Sequence, residues 1–238
     1  MSKILTIGNK IVTIGSKIAV KTFSVYDLPN LKLWVKADDV VKDGSNKVSQ
    51  WNDNSGNSFH PVQATGVNQP LWVDNELNGP PIVRLDGSND FMSVAFGTTF
   101  SQPNTIFVVF SYENAGVGGY VIDGHGVFNS IFCNFLSESE GMRVGSGIIS
   151  YAKPIPWGMH VATSVFNTAN CRMYENGVLK LSGALGDVAL DGIRIGSNFQ
   201  GSGFLKGDVA EIIYCNSLLT DAQRQSTEAY LISKYNIS

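Results

Sequence analysis

Two acidic stretches of the chain could bind a hard cation. RLDGSNDF contains Asp86, Asn89 and Asp90, and GDVAEI contains Asp208 and Glu211. Carboxylate and amide oxygens are ligands that Ca²⁺ takes in proteins, so these five residues are candidate calcium ligands. Asp and Asn side chains also accept hydrogen bonds from their own backbone, in turns that need no metal. A calcium site and two metal-free turns both remain open, and the sequence indicates no other cofactor.

Four further side chains could contact a ligand. Tyr112 and Tyr151 lie in loop-like stretches, Trp157 follows Tyr151, and His125 lies between two glycines in DGHGV. Aromatic faces beside polar groups suit a sugar, and loop residues often bind ligands. Two of the four have a structural alternative, because Trp157 precedes a predicted core strand and His125 suits a Gly-rich turn.

The sequence carries no recognisable catalytic motif. Glycoside hydrolysis needs two carboxyl groups separated by about 5–9.5 Å. Glu138 and Glu140 in SESEG would share a face of a strand, but residues 137–141 are predicted as a turn. There is no GxSxG nucleophile elbow and no GxxxxGKS/T phosphate loop. We therefore predict that the protein is not an enzyme.

Composition and charge argue against several partners. The formal net charge of −3 at pH 7 predicts no basic surface for nucleic acid. No apolar run approaches the ~18 residues that span a bilayer, so we expect no membrane partner. Cys133, Cys171 and Cys215 lie far apart, which predicts buried free thiols in a reducing compartment. No signal peptide is recognisable, so we expect synthesis in a cytoplasm.

Short apolar runs between turn signals predict a protein built mainly of β-strands. The runs cover residues 31–36, 81–86, 105–111, 127–133, 160–166 and 209–215. Asn176 and Gly177, between two further runs, predict a two-residue hairpin turn. Many short strands of this kind favour an antiparallel sandwich or barrel over βαβ units.

One helix is predicted at the end of the chain. Thr220 and Gln223 have the spacing of a capping box, in which each side chain bonds the backbone of the other residue. Ala222, Ala229 and Ile232 fall near one side of the helix and are predicted to pack on the sheets.

From residue 28 onward, several blocks resemble one known family. LKLWVKADD, VSQWNDNSGN, QPLWV, PPIVRLDGSNDFMSV, WGMHVATSVF, CRMYENGVLKL and GDVAEIIYC occur in the family's order over residues 28–238. They resemble laminin-G-like, concanavalin A-like domains, in the single-domain form common in phage structural and bacterial surface proteins. The resemblance implies an all-β fold, a two-sheet antiparallel β-sandwich (jelly roll) with a concave face and a rim of loops.

The same resemblance bears on individual residues. It implies that Trp34, Trp51 and Trp72 pack the core, and that a calcium ion can bind at the loop rim. Ala210 stands where the family often has an acidic residue, which weakens the calcium hypothesis. The fold alone fixes no function, because it hosts lectins, glycosidases and structural decorations.

The first twenty residues contain a repeat, KILTIGN followed by KIVTIGS and a partial KIAV. β-Branched residues and Gly oppose a helix, so we predict strands at 4–7, 11–14 and 18–20, joined by turns at 8–9 and 15–16. So small a meander is marginal alone, and its apolar side chains are predicted to bind a partner. These assembly residues are Ile4, Leu5, Ile7, Ile11, Val12, Ile14, Ile18 and Val20.

These observations lead to a division into residues 1–26, a β-rich anchoring and oligomerisation arm, and residues 27–238, a laminin-G-like β-sandwich. We hypothesise a non-enzymatic structural or adhesion protein of a bacteriophage virion, as a head decoration, head fibre or tail-associated protein. Residues 1–25 would contact other virion proteins or sister chains in a homo-oligomer, and the sandwich would display a glycan-binding surface. The alternatives are a secreted or bacterial cell-surface carbohydrate-binding module and a glycoside hydrolase.

Overall fold

Most of the chain forms antiparallel strands, because its Val, Ile, Phe and Tyr runs favour extended backbone and alternate between two faces. The computed structural model describes residues 12–14, 17–19, 22–76, 79–113, 119–126, 133–136, 139–144, 147–152, 157–187 and 189–238. In chain order, the strands are β1 (Val12–Ile14), β2 (Lys17–Ala19), β3 (Leu31–Lys42), β4 (Val48–Asp53), β5 (Leu71–Val73), β6 (Ile82–Asp86), β7 (Met92–Phe100), β8 (Asn104–Tyr112), β9 (Ile122–Gly124), β10 (Cys133–Leu136), β11 (Ser139–Val144), β12 (Gly147–Ala152), β13 (Trp157–Phe166), β14 (Cys171–Glu175), β15 (Val178–Gly183), β16 (Leu190–Ile195) and β17 (Lys206–Cys215). One α-helix, α1 (Asp221–Lys234), follows the last strand.

The larger sheet has the strand order β15-β14-β13-β8-β17-β3-β4. β6 joins it beside the first half of β17, and β5 pairs with the other edge of β6. β7, β16 and β9 form one smaller sheet, and β10, β11 and β12 form another. The pairings within these sheets are antiparallel, as the sequence predicts.

The main core lies between the larger sheet and the smaller ones. One buried cluster joins Phe110 and Tyr214 of the larger sheet to Phe96 of β7, Ile193 of β16 and Met142 of β11. The Phe96 and Tyr214 rings stack across this interface, with centroids 5.8 Å apart and an interplanar angle of 15°. This packing of sheet on sheet confirms the predicted two-sheet β-sandwich.

A second cluster lies on the outer face of the larger sheet, beneath α1. Leu231 and Tyr235 of the helix share it with Phe107 and Ile213 of the sheet. Every residue of β8 is buried, since one face contacts the main core and the other contacts this cluster. The predicted tryptophan packing is also found, with Trp51 fully buried.

The predicted capping box of α1 is confirmed, and Ile232 packs against the sheet cluster as predicted, but the predicted packing of Ala222 and Ala229 is wrong. Ala222 and Ala229 are exposed, whereas Arg224 and Glu228 are buried. The Arg224 guanidinium lies 3.8 Å from the Tyr174 ring centroid and donates to Glu228 Oε2 at 2.6 Å. The internal ion pair therefore lies on the side of α1 that packs on the sheet, and the two alanines lie on the opposite, exposed side.

The Asn176-Gly177 hairpin is confirmed between β14 and β15, and both residues have positive φ angles, of 48° and 80°. In the N-terminal arm, Val12, Ile14 and Ile18 lie in the antiparallel β1–β2 ladder, as predicted. The other assembly residues lie outside the described residues, namely Ile4, Leu5, Ile7, Ile11 and Val20.

Packing of the sandwich extends slightly before residue 27. Val25 is 3% exposed and belongs to the cluster beneath α1, against which Phe23 also packs. Cys171 and Cys215 are buried free thiols, as predicted, while the side chain of Cys133 lies outside the described part. Within the described ranges, the helices are too short or too polar to cross a bilayer.

Candidate functional site

A pocket lies where β5, β6 and the start of β17 meet. Alternation along β6 and β17 directs Arg84 and Asp86 to the same sheet face as Lys206 and Asp208. The register pairs Arg84 with Asp208 and Asp86 with Lys206. The cavity has a volume of about 350 Å³ and is called the Asp90 pocket below, after the acid described next. Its charged lining comprises Lys47, Arg84 and Lys206, with Asp86, Asp90, Glu113 and Asp208.

A bidentate ion pair forms one wall of the Asp90 pocket. Arg84 Nε donates to Asp208 Oδ1 at 2.8 Å, and Arg84 Nη2 donates to Asp208 Oδ2 at 3.0 Å. Arg84 Nη2 also donates to Glu76 Oε1 at 2.8 Å. The hydrogen bonds to Asp208 raise the pKa of Arg84 above its ordinary value, so the guanidinium stays charged at neutral pH. The pair fixes the wall and occupies both oxygens of Asp208.

The RLDGSNDF stretch is a turn that caps itself. Asp86 Oδ1 accepts hydrogen bonds from the backbone amides of Ser88 (2.8 Å) and Asn89 (3.3 Å). Gly87 has a φ of +79°, and a Cβ there would lie 2.7 Å from Cβ of Lys206. The metal-free turn expected of Asp and Asn is therefore formed here, and glycine is needed where the turn passes β17.

Asp90 is the unusual member of the pocket lining. It is 2% exposed, and its Oδ2 accepts from the Asp86 amide at 3.2 Å. Its Oδ1 is buried without a hydrogen-bond partner in the part of the chain that the structure describes. Burial, with the negative charge of Asp86, raises the pKa of Asp90 to about 6, although the charge of Lys47 acts in the opposite direction. A buried acceptor without a partner is costly, which makes this oxygen a candidate contact for a ligand.

The structure brings together three of the five candidate calcium ligands, Asp86, Asp90 and Asp208. Asp208 is already paired with Arg84, and three cationic side chains line the same pocket. Among the described residues, no three His, Cys, Asp or Glu side chains are grouped to hold a metal ion. Calcium binding stays a prediction, and this lining does not favour it.

Glu211, the fifth candidate, serves a different purpose. A β-bulge between Val209 and Glu211 turns Glu211 toward α1, and Glu211 does not line the Asp90 pocket. Its fully buried carboxylate accepts from Trp34 Nε1 (2.6 Å), Tyr235 OH (2.8 Å), Lys234 Nζ (2.8 Å) and Tyr230 OH (3.1 Å). Glu211 anchors the helix, so this carboxylate is not available to a metal ion.

The prediction that Tyr112 lies in a loop is wrong. It is the last residue of β8, 1% exposed, and belongs to the main core cluster. Burial raises the pKa of its hydroxyl. The strand extends one residue beyond the predicted run and carries the ring into the sandwich, so the ring face is not available to a sugar.

The remaining ligand candidates lie apart from the Asp90 pocket. His125 is half-buried in the turn after β9, where its amide donates to Asp191 Oδ1 at 3.3 Å. Tyr151 is half-buried on β12, and its hydroxyl donates to Glu175 Oε2 at 2.7 Å. Trp157 begins β13, and its side chain lies outside the described part. Ligand binding by these three residues stays a prediction.

No protein-family model matches the chain, and no curated protein matches it. Among solved structures, it is similar to Trypanosoma rangeli sialidase in complex with sialic acid, with 9% identity and a TM-score of 0.62 over 95% of this chain and 36% of that chain. It is similar to the binding domain of botulinum neurotoxin DC in complex with SialylT, with 15% identity and a TM-score of 0.57 over 87% of this chain and 52% of that chain. It is also similar to domain 4 of AbnA, a GH43 extracellular arabinanase from Geobacillus stearothermophilus, in complex with arabinotriose, with 17% identity and a TM-score of 0.54 over 82% of this chain and 97% of that domain.

These likenesses concern the fold. The chain spans 36% of the sialidase chain and 52% of the toxin binding domain, but its counterpart in the arabinanase is a separate domain matched over 97% of its length. With its antiparallel sheets, shared core and C-terminal helix, the chain is a two-sheet antiparallel β-sandwich with the jelly-roll-like fold of these neighbours.

Proposed function

We propose that this protein is a non-enzymatic module that binds carbohydrate. The observation that carries the proposal is the Asp90 pocket, in which a buried carboxylate oxygen without a partner lies among charged hydrogen-bonding side chains. Pockets that combine a few fixed polar groups with an apolar wall are the usual form of small-ligand sites. Here Leu71 and Leu85 supply the apolar surface.

The structural neighbours support the same ligand class. Three proteins with this fold have been solved with sialic acid, SialylT or arabinotriose bound. A sandwich that forms a separate domain of an arabinanase is the arrangement expected of a binding module. Identities of 9–17% establish the fold alone.

Binding without turnover is the form of activity that we propose. The sequence lacks the paired-carboxylate motif of glycosidases with this fold, Asp208 and Glu211 are engaged by Arg84 and by the helix, and Asp86 caps its own turn, which leaves Asp90 and Glu113 as the other acids of the pocket. A hydrolase would need two carboxyl groups free to act as acid and as base or nucleophile.

A glycan array probed with the full chain tests this function, followed by calorimetric titration of the retained glycans. We expect binding of at least one glycan at micromolar to millimolar affinity, with no change in its mass after prolonged incubation. Failure to retain any glycan would contradict the proposal. Release of a shorter sugar would replace it with the hydrolase alternative.

We further propose that the N-terminal arm attaches the sandwich to a larger assembly, a phage virion in our leading hypothesis and a bacterial cell surface in the alternative. Support comes from the seven-residue repeat and from the β1–β2 ladder, since a two-stranded ladder is marginal in water. The test is deletion of residues 1–20, which retains Phe23 and Val25 in their cluster. We expect a folded monomer that no longer joins its oligomer or particle. Unchanged assembly of the truncated chain would refute the anchoring role.

A further inference from the structure

We propose that the Asp90 pocket binds an uncharged saccharide, with Asp90 Oδ1 accepting a hydrogen bond from one sugar hydroxyl and Lys206 Nζ donating to a neighbouring oxygen. This inference rests on the proposed carbohydrate-binding function and names its site and ligand class.

The available hydrogen-bonding groups suit adjacent sugar hydroxyls. Asp90 Oδ1 offers an acceptor, and the exposed side chain of Lys206 lines the same pocket and carries an ammonium donor. Lys47 uses one ammonium proton on Gln69 O, at 2.8 Å, and retains two. A hydroxyl both donates and accepts, so two neighbouring hydroxyls can satisfy a carboxylate and an ammonium together.

The balance of charge favours a neutral ligand. Three cationic and four acidic side chains line the pocket, and Arg84 and Asp208 neutralise each other. Lys47 and Lys206 face three acids, Asp86, Asp90 and Glu113, so the lining has an excess of one formal negative charge. An added carboxylate would face these three acids, whereas an uncharged sugar adds no repulsion.

The apolar part of the pocket supplies a surface for a sugar ring. Leu85 is 1% exposed and lies deep in the lining, while Leu71 is 36% exposed at the edge strand β5. The C–H groups of a sugar ring can pack on Leu71 while its hydroxyls reach inward. The volume of about 350 Å³ accommodates one or two sugar rings.

The unpartnered oxygen argues for a ligand over a purely structural acid. Oδ2 alone caps the turn at Asp86, and an asparagine could make the same bond with its amide oxygen without a buried charge. A buried acceptor that no described group satisfies destabilises the free protein. A bound hydroxyl would remove that penalty.

The experiment uses the full chain and calorimetric titration at pH 7.5 with arabinotriose, maltotriose and lactose as neutral probes, and 3′-sialyllactose as the acidic probe. Asp90→Asn removes the charged acceptor, and Leu71→Trp fills the pocket from its exposed rim without altering Asp90. Asp187→Asn is the matched control, since Asp187 is exposed and does not line the pocket. Thermal melts of each variant verify folding.

We expect a neutral probe to bind wild type and Asp187→Asn within twofold of each other. Asp90→Asn should weaken binding at least about tenfold, the usual effect of losing a hydrogen bond to a charged group. Leu71→Trp should weaken binding to a similar extent, because the larger side chain fills the pocket. If both folded pocket variants bind like wild type, this site is wrong while the carbohydrate-binding function stands. Tighter binding of 3′-sialyllactose that depends on Asp90 would overturn the neutral ligand class. Absence of glycan binding by wild type on the array would overturn the function itself.

Discussion

The backbone amide of Asp86 donates a hydrogen bond to Oδ2 of Asp90 across 3.2 Å and leaves Oδ1 of Asp90 buried without a described partner. The turn is thus held by one oxygen of the carboxylate, and Asp90 also belongs to the lining of the pocket. Oδ2 therefore has a structural role, and the proposed binding role falls to Oδ1. Unfolding experiments test the first role, and saccharide titrations test the second.

The first prediction concerns the stability of Asp90→Asn. The pKa of Asp90 rises from its ordinary 3.8 to about 6 in the folded state, because the buried carboxyl favours its neutral form. The stability that the neutral carboxyl contributes is fully present below pH 3.8 and is lost as the pH rises through 6. At pH 7.5 the variant lacks the buried charge, and its free energy of unfolding should exceed that of wild type by on the order of 2 kcal/mol. Urea unfolding at pH 7.5 and pH 3.5 measures this, and the difference should vanish at the lower pH. Loss of stability at pH 7.5 would mean that the charge has a partner in the free protein.

The second prediction concerns the Arg84–Asp208 pair. Arg84→Met leaves the Asp208 carboxylate, whose side chain is 7% exposed, without its bidentate partner. We expect a loss of about 2–3 kcal/mol in unfolding free energy, below the value for fully buried pairs because Arg84 is 37% exposed. The double variant Arg84→Met with Asp208→Asn should recover most of it. Glu76→Gln, at the exposed end of the network, should lower the unfolding free energy by less than about 0.5 kcal/mol. Equal losses for Arg84→Met and Glu76→Gln would disprove this ranking.

The third prediction concerns Glu211 as the anchor of α1. In Glu211→Gln, the amide N–H₂ group must face donors such as Trp34 Nε1 and Tyr235 OH, which the carboxylate now satisfies. We expect a loss of about 2–4 kcal/mol in denaturant unfolding, because hydrogen bonds to a buried charge are lost. Asp221→Asn on the same helix serves as control, since its side chain is 74% exposed and should have little effect. Similar effects of the two variants would exclude the anchoring role.

Sequence pattern predicted the elements whose signals are local. The Asn176-Gly177 hairpin and the Thr220–Gln223 capping box depend on a few adjacent residues, and both are found. Strand alternation and block order predicted the sandwich. Tyr112 was misplaced, because a strand's end is set by pairing with its neighbours as well as by its own sequence.

The candidate site could be predicted only in part. Asp86, Asp90 and Asp208 were identified as acids with ligating oxygens, but the Arg84 pairing follows from the β6–β17 register, which joins residues 124 positions apart. Lys47, Glu113 and Lys206 come from separate elements and carry no local motif. The bulge at Val209–Glu211 turns Glu211 to the helix, a reversal that simple alternation cannot predict.

The most direct test of the account is a crystal structure of the full chain with the neutral saccharide that binds best. We predict a sugar hydroxyl oxygen about 2.5–2.8 Å from Asp90 Oδ1, as expected for a hydroxyl donating to a carboxylate, with the Arg84–Asp208 pair intact. A saccharide bound elsewhere on the sandwich, with the Asp90 pocket holding only water, would contradict the account.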